Sequence, residues 1–232
     1  MKITKIHTVF QLAFMPRVFP VNCYFVEEEN ELTLIDAAMP YSAKGIIQTA
    51  KKMGKPIRNI ILTHAHADHV GALDELKKLL PEVQVCISIR DAKLLAGDTS
   101  LLPHEKNVPI RGGIPKKIET QPDILLHGGD RIGSLEVIHS PGHTPGSISL
   151  LDTRNQSIIV GDAFQTRGGM AVSGTLKPLF PFPAFGTWDK ATALESAKKL
   201  VSYQPSLLAV GHGRMIENPI ELMKQAIMKA EN

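Results

Sequence analysis

The densest chemical signal in the sequence is Thr63-His64-Ala65-His66-Ala67-Asp68-His69. His64, His66, Asp68 and His69 are all metal-ligating types, and they follow an apolar run, Asn59-Ile60-Ile61-Leu62, that reads as a short strand. In extended chain His64 and His66, two positions apart, point to the same side. Asp68 and His69 fall where the chain turns into a helix, and a tight turn there swings them around the same point. Imidazole with carboxylate suits zinc, iron or manganese. One histidine is usually an ordinary core or surface residue. Three with an aspartate at one strand end, in a chain holding only 9 histidines, are not explained that way.

More ligand types stand where strands end. His143 lies in Ser140-Pro141-Gly142-His143-Thr144-Pro145-Gly146, Asp162 in Val160-Gly161-Asp162, and His212 in Val210-Gly211-His212-Gly213. The pattern repeats as apolar strand, glycine-rich corner, metal-type side chain. His7, His104 and His127 are isolated and read as structural or surface residues. His139 is four residues before His143 and is read as a non-ligand.

The elements that must position these corners follow from the hydrophobic period. Residues 8–15 read as a strand with its exit loop, and 21–26 and 32–35 as strands around a polar turn. Helical spacing runs over 41–52, closed by Gly54 and Pro56, and over 68–80, stopped by Pro81. Further strands are expected at 83–89, 124–126, 135–138, 147–151, 157–160 and 207–210, and helices over 189–203 and 219–229. Residues 97–122 and 163–186 show no clean period, and such long irregular stretches usually serve function or act as lids. Two halves, each of strands and then helices, suggest two packed sheets with helices outside.

Composition narrows the class. The 232 residues fit one domain of the larger kind, and 43% hydrophobic residues supply a sizeable core. The 26 Lys and Arg stand against 23 Asp and Glu, and the basic pairs are scattered, so nucleic acid is not an expected partner. No run approaches the length of a membrane span. The first residues lack a small-x-small cleavage site. Cys23 and Cys86 sit in apolar runs as buried thiols, which suits a reducing cytoplasm.

The His-x-His-x-Asp-His run, then a single His, Asp and His at successive strand ends, with Asn22-Cys23-Tyr24 and Leu34-Ile35-Asp36 before them, resembles the metallo-β-lactamase superfamily of hydrolases. The resemblance covers most of the chain. It implies an α/β (α+β) fold, a four-layered αββα sandwich with metals at one edge of the two sheets. It implies two divalent ions, zinc by default, with manganese or iron as alternatives. One would take His64, His66 and His143, the other Asp68, His69 and His212, with Asp162 bridging. Flavodiiron relatives carry a carboxylate at the second motif position, where this chain has His66.

The function so implied is a dinuclear metal-dependent hydrolase. Two ions about 3.5–4 Å apart can share a hydroxide that attacks an ester, lactone or thioester of a small molecule. Asp68 would both ligate and orient the nucleophile or protonate the leaving group. Asp36, Thr63 and Thr144 are candidates for fixing imidazole tautomers. Acyl-homoserine lactonases often carry a tyrosine shortly after the bridging aspartate, where this chain has Phe164-Gln165-Thr166. Glyoxalase II-like thioesterases carry basic residues for glutathione there, and Arg167 is a single match. A metal-binding regulatory protein is the non-enzyme alternative. The aromatic stretch Phe164, Phe180, Phe182, Phe185 and Trp188 reads either as a plug closing the sandwich or as a pocket wall.

Overall fold

In a computed structural model describing residues 1–232, the first part of the chain builds one sheet and the rest a second. The first part runs β1 (Lys2–Ile6), β2 (Val9–Phe14), β3 (Val21–Glu27), β4 (Leu32–Ile35), α1 (Ala43–Met53), β5 (Ile57–Ile61), α2 (Ala67–Val70), α3 (Leu73–Leu79), β6 (Gln84–Ser88), α4 (Ile89–Leu95) and β7 (Ile124–Leu126). Its seven strands lie in chain order, antiparallel from β1 to β4 and parallel from β4 to β7. The second part runs β8 (Arg131–Ile132), β9 (Leu135–His139), β10 (Ile148–Asp152), β11 (Ser157–Ile159), β12 (Phe164–Gln165), β13 (Ala171–Val172), α5 (Phe182–Gly186), α6 (Lys190–Ser202), β14 (Leu207–Ala209), β15 (Ile216–Glu217) and α7 (Ile220–Glu231). Its main sheet has the order β15-β14-β11-β10-β9-β8, and β12 pairs with β13 apart from it.

The strand period of two sorts each strand between two hydrophobic layers. In β3, Cys23 and Phe25 pack toward the helices while Tyr24 and Val26 face the other sheet. β6 repeats this, with Val85 and Ile87 outward and Cys86 inward. In the second sheet Val137, Leu150 and Ile159 face inward, and Ile138, Leu151 and Ile158 face α6 and α7. Ile46 and Ala50 of α1 and Leu73 and Leu76 of α3 cover the outer face of the first sheet. Leu200 of α6 and Met223 of α7 cover that of the second. The three clusters fill the gaps between four layers: helices, sheet, sheet, helices. This is the expected αββα sandwich.

Local details differ from the sequence expectation. The helix expected over 68–80 breaks into α2 and α3, because the Gly71 N–H leaves the helical pattern to donate to the Ala38 carbonyl. α4 was not expected, although Ser88 caps it by accepting from the Asp91 N–H at 3.1 Å. The two irregular stretches are mostly that, but the second holds the β12–β13 hairpin and the single turn α5. No helix is long and apolar enough to cross a membrane.

Candidate metal centre

The corners meet because of strand direction. β9 and β11 are each antiparallel to β10, and β14 is parallel to β11, so the ends of β9, β11 and β14 lie at one edge of their sheet. Those ends turn into His143, Asp162 and His212. From the facing sheet, the end of β5 supplies His64 and His66, and α2 supplies Asp68 and His69.

All seven side chains converge. Ligand-type atoms of His64, His66 and His143 lie within 4.8 Å of one another, as do those of His64, His69 and Asp162 and those of Asp68, His69 and His212. Asp162 lies between the groups. Its carboxylate is 3.4 Å from His143 Nε2, 3.2 Å from His212 Nε2 and 3.5 Å from His69 Nε2. All are buried except Asp68, whose side chain is 28% exposed.

Each imidazole is gripped at one nitrogen and turned inward at the other. His69 Nδ1 donates to Asp36 Oδ2 at 2.8 Å, His212 Nδ1 to the Pro20 carbonyl at 2.7 Å, and His66 Nε2 to the Arg111 carbonyl at 2.9 Å. The Thr63 hydroxyl is spent as a donor on Asp36, so its oxygen accepts from His64 Nδ1 at 3.0 Å. His143 Nδ1 starts a relay: it donates to Ser173 Oγ, which donates to Thr187 Oγ1, which donates to the Pro183 carbonyl. Five outer partners thus hold five rings with the other nitrogen turned inward, and two of those inward atoms, His66 Nδ1 and His143 Nε2, lie 3.0 Å apart. Asp36 holds a left-handed backbone, φ 61°, to reach both Thr63 and His69.

The inward atoms test whether a metal fits. His64 Nε2, His69 Nε2 and Asp162 Oδ1 are buried and have no hydrogen-bond partner. Such atoms carry a desolvation cost unless something satisfies them. Inward ring nitrogens from several imidazoles, beside two carboxylates and no thiolate, match the donor set of zinc, iron or manganese. The residues fit a divalent cation.

The local charges agree. Burial and the neighbouring imidazoles hold His64 well below its ordinary 6.5, and burial takes His143 down to about 3. Burial acts the same way on His212, but Asp162 and Asp68 outweigh it and push that ring up to about 10. His69 is raised against burial by Asp162, Asp36 and Asp68. Burial would raise Asp162, yet His212 and His69 draw it well below the usual carboxylate range. The carboxylates thus favour positive charge on the side of His69 and His212, while His64, His66 and His143 stay neutral.

A cavity of about 280 Å³ opens onto Asp68, Asp162 and His212. Phe19, Phe182, Pro183 and Phe185 wall it, with Gly112 and Gly186 from the two irregular stretches. Phe180 is the plug: it is buried, 5.0 Å centroid to centroid from Phe19 and 5.3 Å from His212. Phe182 and Phe185 are the wall, 54% and 64% exposed. Both readings of the aromatic stretch therefore apply to different members of it. Trp188 is buried and donates to the Val108 carbonyl.

Of the expected orienting residues, Asp36 and Thr63 touch imidazoles, and Thr144 does not. The Thr144 hydroxyl donates to Asp91 Oδ2 instead. His139 is exposed and outside the cluster, His7 meets Ser157, and His127 pairs with Asp130. Ser173, Thr187 and the Arg111 and Pro20 carbonyls escaped the sequence reading, since a backbone carbonyl or an isolated hydroxyl leaves no pattern.

A family model described as the metallo-beta-lactamase superfamily matches residues 16–212. YobT of Bacillus subtilis is 60% identical over 231 residues, covering 100% of this chain and 99% of YobT. A probable metallo-hydrolase of the same organism, YflN, is 32% identical, with 83% and 80% covered. The crystal structure of TTHA1623 in a di-iron-bound form aligns with a TM-score of 0.67 at 27% identity, covering 91% of this chain and 96% of that one.

Proposed function

Since the chain belongs to the metallo-β-lactamase superfamily, we propose that it is a dinuclear metal-dependent hydrolase acting on an uncharged acyl ester or lactone. The observation that carries this is the set of five outward-anchored imidazoles turned onto Asp68 and Asp162 beneath an apolar wall. His64, His66 and His143 would hold one ion, Asp68, His69 and His212 the other, and Asp162 both. Zinc is the default ion, and the di-iron relative supports iron as the competitor. A bound pair would acidify water and polarise a carbonyl.

The chain's own residues do the rest. Asp68 reaches the cavity, and although burial opposes it, His69 and His212 hold its carboxyl below the usual range. It is ionised there and accepts a hydrogen bond from an attacking water, fixing its direction. Phe19, Phe182 and Phe185 take the apolar part of the substrate and exclude solvent from the reacting carbonyl. The cavity lining holds no Lys or Arg. Arg167 lines a different cavity and donates to the Arg17 carbonyl, and Phe164 is buried behind the second sheet. A glutathione thioester, which brings two carboxylates, therefore has less support than a neutral ester or lactone. We take residues 1–232 as one such domain working in a reducing cytoplasm, where Cys23 and Cys86 stay as thiols.

The test is a panel of esters, lactones, thioesters, a phosphodiester and a β-lactam, with metal analysis on the same protein. Turnover fastest on neutral apolar esters or lactones, and lost on chelation, is the expected result. Fully loaded protein with no turnover on any of them would favour a metal-binding regulatory role and sink the enzyme.

A further inference from the structure

One buried carboxylate is used by none of this. Asp91, on the first turn of α4, is fully buried. Ser88-Ile89-Arg90-Asp91 has the form of a capping box, in which the acidic side chain would turn back to the cap residue's own N–H. Instead it points at two loops. Oδ2 accepts from the Ala65 N–H at 3.0 Å and from the Thr144 hydroxyl at 2.7 Å, and Oδ1 accepts from the Gly146 N–H at 2.8 Å. Ala65 lies between His64 and His66. Thr144 and Gly146 belong to the corner that carries His143.

The packing shows how close this grip is. A Cβ added at Gly146 would come within 2.5 Å of both Asp91 N and Oδ1, so only glycine lets the corner lie against α4. The Gly146 carbonyl is held as well, accepting from Ser88 Oγ at 2.6 Å. This gives the second glycine of the Pro-Gly-His-Thr-Pro-Gly run a reason that ligation did not supply. The two loops come from different sheets, His64 and His66 after β5 and His143 after β9. A direct backbone bond joins them once, from the Ile148 N–H to the Thr63 carbonyl at 2.9 Å.

We infer that Asp91 is a positioning residue for one half of the centre, a clamp that sets the His64–His66 loop against the His143 corner and so shapes that trio alone. The inference rests on reading the seven side chains as metal ligands. Asp91 touches the neighbours of His64, His66 and His143, and none of its hydrogen bonds goes to α2 or to the corner holding His212; Asp36 and Pro20 bond the His69 and His212 rings themselves, and Asp36 also bonds Thr63 beside His64. The partners of Asp91 are neutral donors that need two oxygens between them. An amide offers one oxygen, so Asp91→Asn sets an NH₂ group against at least one N–H or O–H.

The experiment is metal titration of the whole protein with zinc, and with cobalt for its ligand-field spectrum, in three backgrounds: wild type, His143→Ala and His212→Ala. Asp91→Asn is added to each, and circular dichroism of metal-free protein checks the fold. In otherwise wild-type protein Asp91→Asn is expected to weaken one of two equivalents by about tenfold or more, the range of indirect ligand support. In His212→Ala, where the first trio carries the remaining ion, it should weaken that ion equally. In His143→Ala it should leave the remaining ion and its cobalt spectrum unchanged. Equal loss in both backgrounds, or loss in neither, overturns the inference. Should Asp91→Asn fail to fold, Thr144→Val removes one of the three donors and must show the same background dependence at smaller size. If wild type binds no metal that either histidine variant loses, the ligand reading itself has failed and takes the inference with it.

Discussion

Asp162 is the side chain that imidazoles of both groups approach. It lies within 3.5 Å of His143, His212 and His69 at once. Asp162→Ala is expected to cut bound metal from about two equivalents to one at most, and hydrolysis by about 100-fold or more, because position and charge stabilisation fail together. The fold should survive, and His139→Ala, at an exposed residue outside the cluster, should cost little. Normal metal content and rate in Asp162→Ala would end the ligand assignment. Asp91 makes a different statement, about pH. Burial pushes its carboxyl from the ordinary 3.8 up to about 6, against its hydrogen bonds from Thr144, Ala65 and Gly146. Between those values the folded chain binds more protons than the unfolded one. Stability owed to Asp91 is therefore full below about 3.8 and lost as pH rises through about 6. Urea melts of metal-free wild type and Asp91→Asn should show the difference moving in favour of the asparagine variant between about pH 4 and pH 7. A flat difference would mean that burial does not raise the Asp91 carboxyl in the folded chain.

At the scale of elements, what the sequence made legible was whatever obeys a local period. β3, β5, β9, β11 and β14 are apolar runs that stop at polar corners, and His64, His143, Asp162 and His212 stand directly after such runs. α1, α6 and α7 show their buried stripe in the same way. What was not legible depends on distant partners. The split between α2 and α3 follows from a bond to Ala38, which no helical period anticipates. The place of residues 97–122 also follows from a long-range contact, since the Arg111 carbonyl accepts from His66 Nε2 and Gly112 lies against that ring. Gly112 has φ +93°, and a Cβ there would overlap the His66 imidazole. Gly112→Ala should either lift this stretch or tilt His66. Either outcome should lower affinity for one metal by about tenfold, as loss of an outer partner does, together with a fall in the melting temperature of metal-free protein, since alanine is strained at that φ. Unchanged affinity would show that the stretch does not support His66.

The molecule as a whole is two half-structures pressed face to face, and the grouping of strands then helices into two halves was readable before any contact was known. The register between the halves was not, because it is set by side chains reaching across. Tyr24 in β3 donates to the Val210 carbonyl at 2.6 Å, and Asn22 donates to the Val210 and Gly213 carbonyls. Gln11 of β2 also donates to Gly213. One sheet thus holds the corner on which the other presents His212. Tyr24→Phe should cost about 1 kcal/mol, since Asn22 still satisfies Val210. That corresponds to a fall of about 2–4 °C in melting temperature, with both metals still bound. Loss of metal in this variant would mean that Tyr24 alone sets the His212 corner.

His64, His66, Asp68 and His69 are neighbours in the chain, yet the ligand assignment proposed above divides them between two trios completed by His143 and His212. A chain that has not yet folded already offers these four together, and they can seize an ion as a makeshift cage. On that assignment the cage is neither half of the centre, so it must open before β9 and β14 bring their own histidines. Metal arriving early is then a kinetic hindrance, although metal arriving late stabilises. Refolding from denaturant with zinc present from the start should be slower than refolding followed by zinc, and a weak chelator should restore the faster rate. Equal or faster refolding in zinc would show that the early cage does not form.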